Sequence, residues 1–199
     1  MAKSDASTGR AFMDRAFVSC RAILLTGPPG AGKSTVAQRL FPLLPAKSAL
    51  LPVDALGSIR PWVIDDALHT LIADNLKCCI KHYQRWGAKT LLIEGIILPD
   101  GLLPLLQRVL RSAKIQWVCY GLYADRTVLA ERIREDMSRD DVDRRSEWYD
   151  FVGRLQRIPD CVLIDTTTQT ADEVVSLIAK REGIEHLEGS SLRGSRSRQ

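Results

Sequence analysis

"AILLTGPPGAGKSTVAQRL", residues 22–40, runs a short apolar segment into a glycine-rich loop and out again into an amphipathic pattern. Inside it, GPPGAGKS from Gly27 to Ser34 matches G-x-x-x-x-G-K-[ST], with a strand pattern before it and a helix pattern after it, the context that confirms a phosphate-binding loop. Gly27, Gly30 and Gly32 let the backbone curl so that successive N–H groups point inward, with Pro28, Pro29, Ala31 and Thr35 completing the cradle. The helix that follows adds its positive N-terminal end to the same anion site. Lys33 is placed to reach the β- and γ-phosphates and Ser34 to ligate magnesium, so the stretch predicts ATP and Mg2+ as cofactors. It leaves open where the phosphate goes: to water, or to an acceptor molecule.

Working outward, short apolar runs alternate with longer helical patterns, the signature of parallel strands joined by crossover helices. The strands are predicted at 22–26 (AILLT), 49–54 (ALLPVD), 90–95 (TLLIEG), 115–123 (IQWVCYGLY) and 161–165 (CVLID). The fold expected is α/β: a three-layer open parallel five-stranded sheet of P-loop NTPase type with a small helical lid. Between the second and third strands, Leu68, Leu71, Ile72, Leu76, Cys79 and Tyr83 recur at helical spacing and Gly87 stands as a C-cap. LLPLLQRVLRSA gives a shorter helix after the third strand, and an exposed apolar face on it would favour a homodimer. TADEVVSLIAKRE closes the fold with Thr170 as N-cap.

The region from Arg126 to Pro159 holds eight arginines and eight acidic residues, so its net charge is close to zero. A helix in RTVLAERIRED, the polar stretch MSRDDVDRR and a return through SEWYDFVGRLQRI together read as an arginine-bearing flap. The chain therefore divides into an N-terminal extension (1–20), a nucleotide-binding domain (21–182, lid about 126–159) and a tail (183–199) whose glycine and serine content reads as disordered.

Composition narrows the class. With 45% hydrophobic and 26% charged residues the chain is an ordinary globular protein, and 199 residues suffice for one domain with a substantial core. The formal charge of +4 is not gathered on one structured element, which argues against a nucleic-acid partner. Five cysteines without paired spacing point to a reduced interior rather than zinc or disulfides. Asp14 and Arg15 fall where a signal peptide would need its apolar stretch, and no run reaches transmembrane length, so a cytoplasmic location is expected.

Two carboxylates stand at the ends of predicted strands, where the ligand crevice of an open parallel sheet lies. Asp54 can accept the proton of an acceptor hydroxyl as it attacks the γ-phosphate; its bland alternative is a turn or cap residue. Glu94 can hold magnesium, as in a Walker B site, or touch the acceptor, or simply end a strand. Arg60, in VDALGSIRPW, flanks the same loop as Asp54 and is a candidate for the acceptor, with Trp62 beside it read chiefly as packed. Arg132 and Arg134 on the flap helix, and Arg139, Arg144 and Arg145 beyond it, supply the cations that phosphoryl transfer needs; any one of them taken singly reads first as a surface ion pair. His69 and His82 have no matching metal-ligand pattern.

These residues resemble the small P-loop kinases that include shikimate and gluconate kinases, the chloramphenicol phosphotransferase and the zeta-toxin-like kinases. The resemblance rests on GPPGAGKST, on VD with a following arginine (Asp54, Arg60) and on LYADRTVLAERIRED, and spans about Ala22 to Glu182. It implies that Asp54 is the base or orients the acceptor and that Arg132 packs on adenine. The arginine and glycine signatures of shikimate kinase substrate sites are missing, and IEGIILPDG lacks the D-G-[FY]-P-R run of adenylate kinases.

The expectation is an ATP-dependent kinase acting on a hydroxyl of a small molecule, a metabolite or an antibiotic. Lys33, Asp54, Arg132 and Arg139 are its catalytic candidates, Asp54, Arg60 and Glu94 its acceptor-binding ones, and Ser34 and Glu94 its metal ligands. Two alternatives stand beside it: a nucleoside, nucleotide or polynucleotide kinase, and a non-catalytic ATP-binding regulatory module.

Overall fold

A computed structural model of the protein describes residues 20–135 and 151–184. Five strands form one sheet: β1 (Arg21–Thr26), β2 (Ser48–Pro52), β3 (Thr90–Gly95), β4 (Gln116–Tyr123) and β5 (Cys161–Asp165). Their order is β2-β3-β1-β4-β5, and every neighbouring pair is parallel. β3 is buried along its whole length, as a strand covered on both faces must be, whereas β2 at the edge alternates half-buried and buried residues.

The helices are α1 (Lys33–Leu40), α2 (Val53–Leu56), α3 (Asp66–Trp86), α4 (Leu102–Ser112), α5 (Arg126–Glu135), α6 (Phe151–Leu155) and α7 (Ala171–Arg181). One face of the sheet packs against α3, α4 and α6 through a core that includes Leu76, Ile80, Leu106 and Phe151. The other packs against α1 and α7, with Val36, Leu40 and Ile178 at its centre. These are the three layers expected from the alternating pattern.

Local chemistry sets the helix ends. Asp65 caps α3 by accepting from the Leu68 N–H at 2.8 Å, and Gly87 ends it in the left-handed region at φ 90°. Thr170 and Glu173 form a reciprocal capping box on α7, as the sequence predicts for Thr170.

Two expectations change. The second strand stops at Pro52, whose missing N–H cannot extend the ladder, and the chain turns at once into α2, so Asp54 lies in the first turn of a short helix rather than in the strand. The apolar face of α4, Leu102, Leu103, Leu106, Val109 and Leu110, is buried against this chain's own α3 and sheet, which removes the exposed face on which the homodimer expectation was conditional. Among the described residues all five cysteines are free thiols and no helix is long and apolar enough to cross a membrane. Arg139, Arg144 and Arg145, and most of the N-terminal extension and C-terminal tail, lie outside the described residues.

Candidate active site

The phosphate loop begins where β1 ends. Gly27, at φ 154°, runs so close to β4 that a Cβ would stand 2.3 Å from the Leu122 carbonyl oxygen. Gly32, at φ 87°, opens the other way: a Cβ there would meet nothing within 4 Å, so the inside of the loop is clear. Thr26 ties the loop to the chain beyond β3, its hydroxyl donating to the Ile97 carbonyl and accepting from the Ile97 N–H, both at 3.0 Å. Lys33 Nζ folds back over the loop and donates to the Pro28 carbonyl at 2.9 Å.

Ser34 and Glu94 meet in front of the sheet. The serine hydroxyl lies 3.3 Å from each carboxylate oxygen of Glu94, which is only 8% exposed. A hydroxyl and a buried carboxylate converging beside the phosphate loop form an all-oxygen donor set of the kind a hard cation such as magnesium takes. Next along β3, Gly95 is approached by Asp54: the carboxylate Oδ1 lies 3.8 Å from where a Gly95 Cβ would be. Asp54 itself is exposed.

Two cavities flank this line. The first, about 510 Å3, is lined by Gly30 to Val36, Arg132, Thr166, Gln169, Thr170, Ala171 and Val174. Arg132 donates from Nη2 to the Thr166 carbonyl at 2.7 Å and from Nη1 to the Thr166 hydroxyl at 3.2 Å and the Gly30 carbonyl at 3.4 Å. Thr166, 3% exposed, donates in turn toward the Tyr123 carbonyl at 3.0 Å. Gln169 lines this cavity, and its Oε1 is buried without a hydrogen-bond partner among the described residues.

The second cavity, about 300 Å3, lies on the β2–β3 side and includes Asp54, Trp62, Asp65, His69, Asp100 and Arg154 in its lining. Arg154 on α6 donates to Asp100 Oδ1 from Nη2 at 2.7 Å and from Nε at 3.3 Å, and this hydrogen bond holds the Asp100 carboxyl below its ordinary pKa. The imidazole of His69 packs against the backbone of Gly101, with Cε1 3.1 Å from the position a Cβ would take.

Of the residues singled out in the sequence, the structure therefore gathers Lys33, Ser34 and Glu94 around the loop, Asp54 in the wall of the second cavity and Arg132 in the wall of the first. Arg60 lies on an exposed loop and lines neither cavity, and Arg134 is exposed on α5. Thr166, Gln169, Asp100 and Arg154 were not foreseen. Thr166 and Asp100 follow the carboxyl ends of β5 and β3, the edge where ligands gather, and that placement was the available signal.

The fold is that of the P-loop kinases. The structure superposes on the tunicamycin resistance protein of Deinococcus radiodurans with a TM-score of 0.62 at 21% identity, covering 83% of this chain and 97% of that one. It superposes on a gluconokinase from Sinorhizobium meliloti 1021 with a TM-score of 0.57 at 16% identity (82% and 95% covered). A third match is the Mycobacterium tuberculosis APS kinase CysC, solved with AMPPNP and APS, at 0.56 and 18% (83% and 98%). By sequence, the family model "Magnesium chelatase, subunit ChlI" matches residues 5–60, a stretch that contains the phosphate loop and covers less than half of the chain. A search of curated proteins found no match.

Proposed function

We propose that the protein is an ATP-dependent phosphotransferase that moves the γ-phosphate of ATP to a hydroxyl group of a small molecule. The observation that carries this reading is Asp54: an exposed carboxylate at the wall of a second cavity, close to Gly95 and so one residue from the glutamate that meets Ser34. A nucleotide hydrolase directing water needs no second cavity of about 300 Å3 with a carboxylate such as Asp54 in its wall. The kinases and the antibiotic-resistance protein that share the fold support a transferase, at identities that leave the acceptor open.

In this reading the first cavity takes the nucleotide. The Gly27–Ser34 backbone with Lys33 grips the phosphates. Ser34 and Glu94 are the residues that would hold magnesium, which when bound neutralises charge on the phosphate oxygens. Asp54 accepts the proton of the acceptor hydroxyl as its oxygen forms a bond to the γ-phosphorus and the bond to ADP breaks. Arg132 fixes the loop through the Gly30 carbonyl. The setting is cytoplasmic and the partner a small molecule rather than a nucleic acid or a membrane.

The test is an acceptor screen, metabolites and antibiotics together, read by ADP production with Mg2+ and ATP. For any acceptor that stimulates release, Asp54→Asn should lower the stimulated rate by about 10²–10⁴-fold and leave nucleotide binding intact. Undiminished release would remove Asp54 from its role. A broad panel without a single stimulating acceptor would sink the transferase reading.

A further inference from the structure

The second cavity has a chemistry that narrows its occupant. Its floor is apolar, built from Val53, Leu68, Ile72, Leu98 and Leu102. Seven large apolar side chains are exposed among the described residues, and five of them, Ile59, Trp62, Val63, Ile64 and Leu71, fall between positions 59 and 71. Trp62 and Ile64 from that stretch line the cavity, which therefore has two exposed apolar side chains on its wall. Trp62 is 61% exposed. An aromatic left in water beside a cavity gains by being covered, whereas elsewhere on this surface such groups are scattered singly.

The charges in the same lining point the same way. Asp54, Asp65, Asp66 and Asp100 share this lining with one guanidinium, Arg154, and a second, Arg157, stands 3.9 Å from Asp100 Oδ2 outside it. Arg154 is already committed: two hydrogen bonds hold it to Asp100, and it lies over the Phe151 ring at 5.6 Å. A carboxylate or phosphate on the occupant would enter against these aspartates with the described cation engaged elsewhere.

We propose that the acceptor is an alcohol with an apolar ring or alkyl body and no anionic group, its body lying on Trp62 and Ile64 and its hydroxyl directed inward to Asp54. This rests on the transferase reading of the same cavity. The cavity volume of about 300 Å3 suits a compact body of one or two rings rather than an extended chain.

Three probes decide the matter: phenyl β-D-glucoside, methyl β-D-glucoside, which lacks the phenyl ring, and phenyl β-D-glucuronide, which carries a carboxylate in place of the C6 hydroxymethyl group. Their binding to the full chain, saturated with Mg2+ and a non-hydrolysable ATP analogue, is measured by calorimetry. The expected result is that the phenyl glucoside binds about tenfold or more tightly than either of the others, a difference of about 1.4 kcal/mol. Trp62→Ala should reduce it to the level of the methyl glucoside with the melting temperature unchanged, since the side chain is largely in solvent. Equal or tighter binding of the glucuronide, equal binding of the methyl glucoside, no binding of any probe, or indifference to Trp62→Ala would each overturn the proposal. The acceptor screen separates the two readings. Turnover of an anionic acceptor in preference to neutral ones overturns this inference and leaves the transferase standing. Absence of any stimulated ADP release sinks the transferase while calorimetry still ranks the three probes.

Discussion

Arg132 joins two sides of the first cavity by donating to the Thr166 carbonyl at 2.7 Å while its other terminal nitrogen reaches the Gly30 carbonyl at 3.4 Å. A half-buried guanidinium so engaged couples α5 to the phosphate loop. Arg132→Lys keeps the charge and loses the fork. It should weaken nucleotide binding about tenfold, and Arg132→Ala should cost in addition about 1–3 kcal/mol of stability through unpaired acceptors. Calorimetry with ATP and chemical unfolding check the two effects separately.

Ser34 and Glu94 form the candidate metal site, 3.3 Å apart. Chelation of magnesium should abolish acceptor-stimulated ADP release. Glu94→Gln should move the magnesium concentration for half-maximal rate up by about tenfold or more, since a neutral amide loses the charge that favours a divalent cation. A magnesium titration of the variant reads this directly. An unchanged midpoint would assign Glu94 to the acceptor instead.

Gly95→Ala should be among the most damaging small substitutions. The residue sits at φ 150°, and an added Cβ would stand 2.2 Å from Val53 Cγ2, so either β3 or the turn into α2 must shift. The expected loss is about 2–4 kcal/mol, with acceptor-stimulated turnover falling further than stability alone explains because Asp54 moves with Val53. Unfolding curves and turnover measured below the melting point distinguish the two.

Acidification should loosen the second cavity. Asp100 has its pKa lowered below the ordinary 3.8, first by the Arg154 hydrogen bond. A depressed carboxylate contributes stability that is fully present above its unfolded pKa and is lost as pH falls through the folded one. The contribution of the pair therefore disappears below the ordinary carboxylate range and is constant near neutrality. Asp100→Asn should flatten that part of the melting profile between about pH 4 and pH 2. A profile of unaltered steepness would remove the pair from the account.

The sheet and most of the loop chemistry were legible because each rests on a local rule. An apolar run before GPPGAGKS has one common outcome, and the capping pattern at Thr170 is confined to four residues. Asp54 was placed one element too early because ALLPVD reads as continuous strand until proline's missing N–H is counted. The Arg154–Asp100 and Arg132–Thr166 pairs join residues 54 and 34 positions apart, and no periodicity announces which of eight flap-region arginines will find a partner. Resemblance gave Arg132 an adenine to pack on. The structure adds the backbone carbonyls its guanidinium holds.

The strand order also constrains how the protein comes to exist during synthesis. β1 carries the phosphate loop, yet its partners are β3 and β4, with Arg21 paired to Thr90 on one side and Gln116 on the other. A nascent chain that has just delivered GPPGAGKS has nothing for β1 to lie against. Contacts this distant along the chain are slow to close, and the glycine loop takes shape only when Tyr123 has left the ribosome. A product cut short before β4 would carry the whole motif without the Leu122 carbonyl against which Gly27 packs.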